Sequence, residues 1–324
     1  MDRRALIRGL IGACAAARTF VASAQDTTRV RRIGTLSLGA PHSLDDVHAA
    51  LGKLGWIEGR NMSFEQRHAN QRIEALPALA EQLVRLKVEL ILTAGTPSTL
   101  AARRATSTIP IVFWSAADPV GSGLVASLAK PGGNVTGYAT AGPEVDAKRL
   151  QVLRDLLPSV QRVGVLETSA NPYYRATRES LQHAARALRM ELIFVEVSAA
   201  DQIANAVAEI ARRGGQAMLL GADDLFIDHQ VELMQAVLKH SLPTTVARVH
   251  IRQLGALVSY SPTDADHDAR AAAFVDRILR GASPADLPVE QPSRFALTIN
   301  LGTAKALGIV IPKPLLLRAD ELIR

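Results

Sequence analysis

Short β-rich runs alternate with longer amphipathic segments from residue 31 onward. The pattern predicts strands over 33–38, 62–65, 88–92, 111–114 and 135–138, with helices over 44–54, 73–86 and 97–105 between them. In the second of these helices Leu76, Leu79, Leu83 and Leu86 fall on one face at i, i+3, i+7 and i+10. The alternation then restarts. Helices are expected over 148–157, 173–188, 203–212 and 230–238, and strands over 163–166, 192–195, 217–220, 244–246 and 257–259. After these come a long helix over 266–280 ending at Gly281, a Pro-rich connector over 283–288, and one more strand over 295–299.

Two successive β-α series of similar length define an α/β chain with two doubly wound, mainly parallel lobes. The lone helix and lone strand at the end suggest that the chain returns to the first lobe and then to the second, which creates a hinge and an interlobe cleft. The chain has 324 residues, enough for two cores. Aromatics are only 4% of them, so the cores rest on Ala, Leu, Val and Ile, as suits buried parallel strands.

Residues 1–24 read as an export signal. Arg3, Arg4 and Arg8 precede a short apolar run, and Ala22-Ser23-Ala24 offers a cleavage site before Gln25. The run is shorter than the roughly 20 residues a bilayer span needs. Arg3-Arg4 also fits a twin-arginine route. A rival reading takes Leu10 to Cys14 as a lipoprotein box. The segment holds four Arg and one Asp, so the net charge of +6 falls to +6 − 3 = +3 after cleavage. A weakly basic chain with no dense Lys/Arg stripe is not expected to bind nucleic acid. Cys14 is the single cysteine and lies within the signal, so the mature chain has no thiol for a disulfide, a metal or a nucleophile. No cofactor or metal site is expected. The sequence lacks a dinucleotide fingerprint, a phosphate loop, a His-Glu-x-x-His and a Gly-x-Ser-x-Gly elbow, and His42, His48 and His68 read as surface residues.

Ligands of open parallel sheets bind beyond the carboxyl ends of the strands. The candidate residues there are Ser37, Gly95, Thr96, Pro97, Asp118, Tyr138, Asn171, Asp223 and Tyr260. The run 93–99 joins an apolar strand to a helix start, where Thr96 or Ser98 with backbone N–H groups can hold a carboxylate; a plain helix cap is the equal alternative. Asp118 either pairs with a ligand ammonium or serves as a turn residue before Pro119, and Trp114 is a candidate apolar wall. Of Asp223 and Asp224, one is expected to face the cleft while the other caps the next helix. All four tyrosines (Tyr138, Tyr173, Tyr174 and Tyr260) fall at or just past strand ends, which suits a partly wet cleft.

Several strings carry a family resemblance. They are Leu54-Gly55-Trp56-Ile57-Glu58-Gly59-Arg60-Asn61, Gly95-Thr96-Pro97, Ala105-Thr106-Ser107-Thr108-Ile109-Pro110, Asp118-Pro119-Val120-Gly121, Ala129-Lys130-Pro131-Gly132-Gly133-Asn134-Val135-Thr136-Gly137 and Ala285-Asp286-Leu287-Pro288-Val289-Glu290-Gln291-Pro292. Over residues 31–324 the chain resembles the ABC-transporter substrate-binding family related to tryptophan- and tyrosine-binding lipoproteins. The resemblance implies a type I periplasmic-binding fold with a three-crossing hinge. Its lobes would be 30–142 plus 262–292 and 143–261 plus 293–324. It implies a small polar or amphipathic ligand, an amino acid or another small carboxylate, delivered without chemistry to a membrane permease served by a separate ATPase. Gly95, Thr96, Pro97, Asp118 and Asn171 match the family's cleft loops. The match loosens at Glu167-Thr168-Ser169 and at Ser261. A periplasmic monomer is expected. The competing function is a sensor that presents its bound solute to a membrane receptor or kinase.

Overall fold

The computed structural model describes residues 29–39, 44–140, 142–168, 171–221, 223–247, 254–263 and 267–324. The export signal read over 1–24, with Cys14, and the surface assignment of His42 lie outside them.

Five parallel strands form the first sheet: β1 (Arg31–Ser37), β2 (Met62–His68), β3 (Leu90–Thr93), β4 (Ile111–Ala116) and β5 (Val135–Ala139), in the order β2-β1-β3-β4-β5. The second has seven: β6 (Arg162–Glu167), β7 (Glu191–Glu196), β8 (Ala217–Leu220), β9 (Thr244–Val246), β10 (Val258–Pro262), β11 (Phe295–Asn300) and β12 (Glu321–Ile323), in the order β12-β11-β10-β9-β8-β6-β7. Its stretch β7-β6-β8-β9-β10 repeats the order of the first sheet. Only the β10–β11 pair is antiparallel. Each sheet therefore has a point, at β1/β3 and at β6/β8, where the winding reverses and the loops past the carboxyl ends part to leave a crevice.

Both faces of each sheet are covered, which is why β3 and β8 are apolar, or Thr, throughout and fully buried. In the first lobe α2 (Leu76–Arg85) and α3 (Gly95–Ala105) pack on one face. On the other, Val47 and Leu51 of α1 (Leu44–Lys53) meet Phe274, Val275 and Ile278 of α9 (His267–Leu279). The second lobe has α4 (Pro143–Leu156) and α5 (Tyr173–Leu188) on one side. On the other lie α6 (Ile203–Arg212), the short α7 (Asp224–Asp228) and α8 (Gln230–Lys239). Near the C-terminus α10 (Leu301–Ala306) and α11 (Lys313–Arg318) lead into β12.

The chain changes lobes three times: between β5 and α4, between β10 and α9, and between Glu290 and β11. Before the last crossing residues 287–290 run beside β5. The Thr136 hydroxyl donates to Leu287 O (2.7 Å), and Ala139 N–H donates to Glu290 O (2.8 Å). A bulge in β4 between Phe113 and Ala116 adjusts its register with β5. Gly137 sits opposite it at φ +151°, and a Cβ there would lie 1.9 Å from the Phe113 carbonyl oxygen, so only glycine allows the strands to approach.

Sequence periodicity misplaced several boundaries. The helix expected from 97 begins at Gly95, and the one expected from 148 begins at Pro143, whose fixed φ and missing N–H suit a first turn. The five-residue α7 is too short to show a period, and α10, α11 and β12 extend a tail expected to close with a lone strand. Trp114 is not a cleft wall. It is 5% exposed and packs with α9 in the core of the first lobe.

Candidate functional site

A cavity of about 170 Å³ lies between the lobes. The first lobe lines it with Leu38 after β1, Gly95, Thr96 and Pro97 of α3, Ser115 and Ala117, and Tyr138 and Thr140. The second lobe supplies Arg149, Asn171, Tyr173, Asp223, Asp224, Ile227 and Ala247. Ser261, Pro262 and Pro292, at the other two crossings, complete it. Of the expected residues the structure thus brings Gly95, Thr96, Pro97, Tyr138, Asn171 and Asp223 together. A second cavity of about 240 Å³ lies on the far side of Asn171 and Asp223, which line both.

On the first-lobe side the polar groups are spent on one another. Gly95 N–H donates to Ser115 Oγ (2.9 Å), while the Thr96 hydroxyl donates to Ala117 O (3.2 Å) and accepts from Ala117 N–H (3.1 Å). Thr96 thus staples the α3 loop to the β4 loop. Ser98 is fully buried and does not line the cavity. Gly95 adopts φ +79°, and a Cβ on it would come within 3.1 Å of Asp224 Oδ2 of the other lobe. That carboxylate approaches the positive end of α3.

The second-lobe side is a network of charged groups. Asp223 caps α7 by accepting from Leu225 N–H at Oδ1 (3.0 Å), a bond worth about 1 kcal/mol. Its Oδ2 accepts from Thr168 Oγ1 (2.9 Å) and Asn171 Nδ2 (3.0 Å). Burial pushes the Asp223 carboxyl above its ordinary value, and the bonds from Asn171, Thr168 and Leu225 pull in the other direction without cancelling that effect. Both roles foreseen for the acidic pair fall partly on Asp223, since it caps the helix and lines the cavity.

Deeper in the same lobe, Arg149 and Asp146 form an ion pair with side chains 4% and 1% exposed. Tyr173 donates its hydroxyl to Asp146 Oδ2 (2.8 Å), and Arg149 Nε donates to Tyr260 O (2.9 Å). Burial, followed by the negative charge of Asp146, holds the Tyr173 hydroxyl well above its ordinary value, so it stays a donor. A pair this buried costs about as much in lost hydration as it returns in attraction, so its use is to fix the guanidinium in place.

Three expected residues lie elsewhere. Ser37 is buried at the end of β1, donating to Gly39 O (2.7 Å) and meeting His68 Nδ1 (2.8 Å). His68 is half-buried, with burial lowering its pKa, and does not hang free on the surface. Asp118 closes a turn at φ +41°: its Oδ1 accepts from Gly121 N–H (3.0 Å) and its carbonyl from the Ser122 hydroxyl (2.6 Å). The Tyr260 ring stacks on Phe295, centroids 5.4 Å apart, and only its carbonyl serves the site, through Arg149. Sequence reasoning missed Arg149. The available signal was an Asp and an Arg three apart on the stripe that carries Leu150, Leu153 and Leu156 into the core.

The lobes are in contact across the cleft. Besides the Gly95–Asp224 approach, Gln71 of the first lobe donates to Asp228 at the end of α7. Among the described residues no helix is long and apolar enough to cross a membrane, and no three His, Cys, Asp or Glu side chains cluster to hold a metal.

Two repeated doubly wound lobes, three crossings and an interlobe cavity define a type I periplasmic-binding fold built to hold a solute. The chain belongs to the ABC transporter substrate binding protein family, whose model matches residues 41–323. It is similar to a tyrosine-binding protein of Clostridioides difficile, 26% identical over 288 residues that make up 88% of this chain and 83% of the relative. Its fold matches that of an ABC domain from Streptococcus pneumoniae in complex with L-Trp, with a TM-score of 0.81 and 24% identity over 91% of this chain and 100% of that one. The ligand-free, open structure of a substrate-binding protein with adhesive properties from Clostridium difficile matches with a TM-score of 0.62 and 23% identity, covering 91% of this chain and 99% of that one.

Proposed function

We propose that the chain captures a small amino acid with an apolar or aromatic side chain outside the cytoplasmic membrane and passes it to an ABC permease. One observation carries the reading. The interlobe cavity joins charged groups of both signs, Arg149 against Asp223 and Asp224, to an apolar remainder of Leu38, Ile227, Pro262 and Pro292 with the rings of Tyr138 and Tyr173. A zwitterion with a greasy tail matches such a surface at both ends. The tyrosine and tryptophan named for the relatives fit the same description. No nucleophile with an adjacent base lines the cavity among the described residues, which suits binding without turnover. Contacts to both lobes at once lower the energy of the closed form, and closure is what a permease can read.

The test is a thermal-shift screen of the mature chain with L-tyrosine, L-tryptophan, L-phenylalanine and L-leucine, against ribose and spermidine as controls. A true ligand at 100 times its Kd should raise Tm by about 5 °C or more. No response to any amino acid, or a response to ribose alone, would overturn the reading.

A further inference from the structure

The guanidinium of Arg149 has one nitrogen to spare. Nε is taken by Tyr260 O, and Nη1 by Asp146. Nη2 has no partner among the described residues, although the side chain is only 4% exposed and the residue lines the cavity. An arginine N–H pair on a residue that lines the cavity, with no acceptor from the protein, is suited best by a carboxylate or another oxyanion. A competing anion site, the N-terminus of α3, has three of its groups already engaged or lacking. Gly95 N–H already donates to Ser115, Pro97 has no N–H, and the Thr96 hydroxyl is held by Ala117. In addition, Asp224 Oδ2 stands 3.1 Å from the Cβ position of Gly95, so a second carboxylate there would meet like charge.

We infer that Arg149 Nη2 is the anchor for the ligand's carboxylate, so the solute is an acid held from the second lobe, while α3 is neutralised across the cleft by Asp224. The inference rests on the amino-acid reading above and adds an orientation to it: carboxylate at the α4 side, ammonium toward Asp223 and Asp224. Asp146, Tyr173 and the Tyr260 carbonyl are positioning groups. They fix the guanidinium plane so that Nη2 faces the cavity without a rotamer search.

The experiment compares an acid with its amide by titration calorimetry. The probes are L-tyrosine and L-tyrosinamide, or the same pair for whichever amino acid gives the largest thermal shift. The wild-type chain should prefer the acid by about 100-fold, the weight of a charge-assisted bond. In the double variant Arg149→Met with Asp146→Asn, which removes both buried charges together, the preference should collapse to about 3-fold or less, mainly through loss of affinity for the acid. Arg149→Lys, which keeps the charge and loses the fork, should fall between. Equal binding of acid and amide by the wild-type chain overturns the assignment without recourse to any variant, and so does a wild-type preference surviving in a folded double variant. If acids and amides bind alike, the amino-acid reading still stands and only the role of Arg149 falls. If no amino acid binds the wild-type chain, both fall.

Discussion

The two walls of the cleft differ in kind. The first lobe presents backbone, hydroxyls and a proline, with polar atoms satisfying one another at Gly95–Ser115 and Thr96–Ala117. The second lobe presents Arg149, Asp223 and Asp224, with Asn171 and Tyr173 holding them in register. A ligand that docks on the charged wall first finds its ions pre-oriented. The neutral wall then has only to exclude water and add area, which strengthens every polar contact inside. On the proposed reading, recognition belongs mainly to the second lobe, and closure to the first.

The largest expected effect is on the charged wall. Asp223→Asn keeps a side-chain oxygen that can cap α7, so the fold should survive, but one of the two anions toward the ligand ammonium is gone. Affinity should fall by about 30-fold or more. The pH dependence sharpens this. The folded Asp223 binds its proton more tightly than the unfolded chain does, so its contribution to unliganded stability is fully present below the ordinary carboxyl range and is lost as pH rises through the raised value. Ligand affinity should run the opposite way over that window, since only the ionised form pairs with an ammonium. Glu167, also raised by burial, shares the stability trend, so Asp223→Asn should remove part of it and should weaken the affinity trend. Calorimetric titrations across acid pH in both proteins read this out, and an affinity that is flat with pH in the wild-type chain would sink the pairing.

A smaller effect is expected at the seam between the walls. Gln71, in left-handed backbone at φ +62°, reaches Asp228 only when the lobes meet. Gln71→Ala should weaken ligand binding by about 5-fold through the closed form alone. The preference for acid over amide should stay as in the wild type, because the charged wall is untouched. Small-angle scattering with and without ligand checks it: the unliganded chain should be more expanded than the wild type, and the saturated forms should match.

How much of this was readable from residues alone depended on which property a residue type controls. Alternating apolar runs placed the strands and the restart at the second lobe, because parallel strands covered on both faces must be apolar. Gly95, Asn171 and Asp223 were legible as strand-end residues, since winding order fixes where such loops gather. Side-chain direction was not legible. Trp114 and Tyr260 sit near the expected strand ends but point into cores, and nothing in a two-residue period tells inner from outer when both faces are buried. Arg149 escaped because α4 was expected from 148, which left Asp146 outside the helix and hid a buried charge pair. The pairing that reorients Arg149 is a contact with Tyr260, 111 residues away, which local pattern does not encode.

Asp118 gives the smallest effect and the cleanest control. Its residue type, an acid next to Pro119 beyond an apolar strand, suited an ammonium partner as well as a turn. In the folded chain both roles compete for the same carboxylate, and the turn holds it: Oδ1 accepts from Gly121 N–H while the backbone at φ +41° carries the strain of the corner. The carboxylate packs directly on Gly121, where a Cβ would overlap it. Asp118→Ala should therefore leave ligand affinity within about 2-fold of the wild type and lower stability by about 0.5–1.5 kcal/mol through the lost bond. Asp118→Asn, which can still accept from Gly121, should recover most of that stability. Denaturant melts and titrations on the two variants separate the roles. A fall in affinity of 10-fold or more in both would put a charge requirement on the first lobe and end the division of labour between the walls.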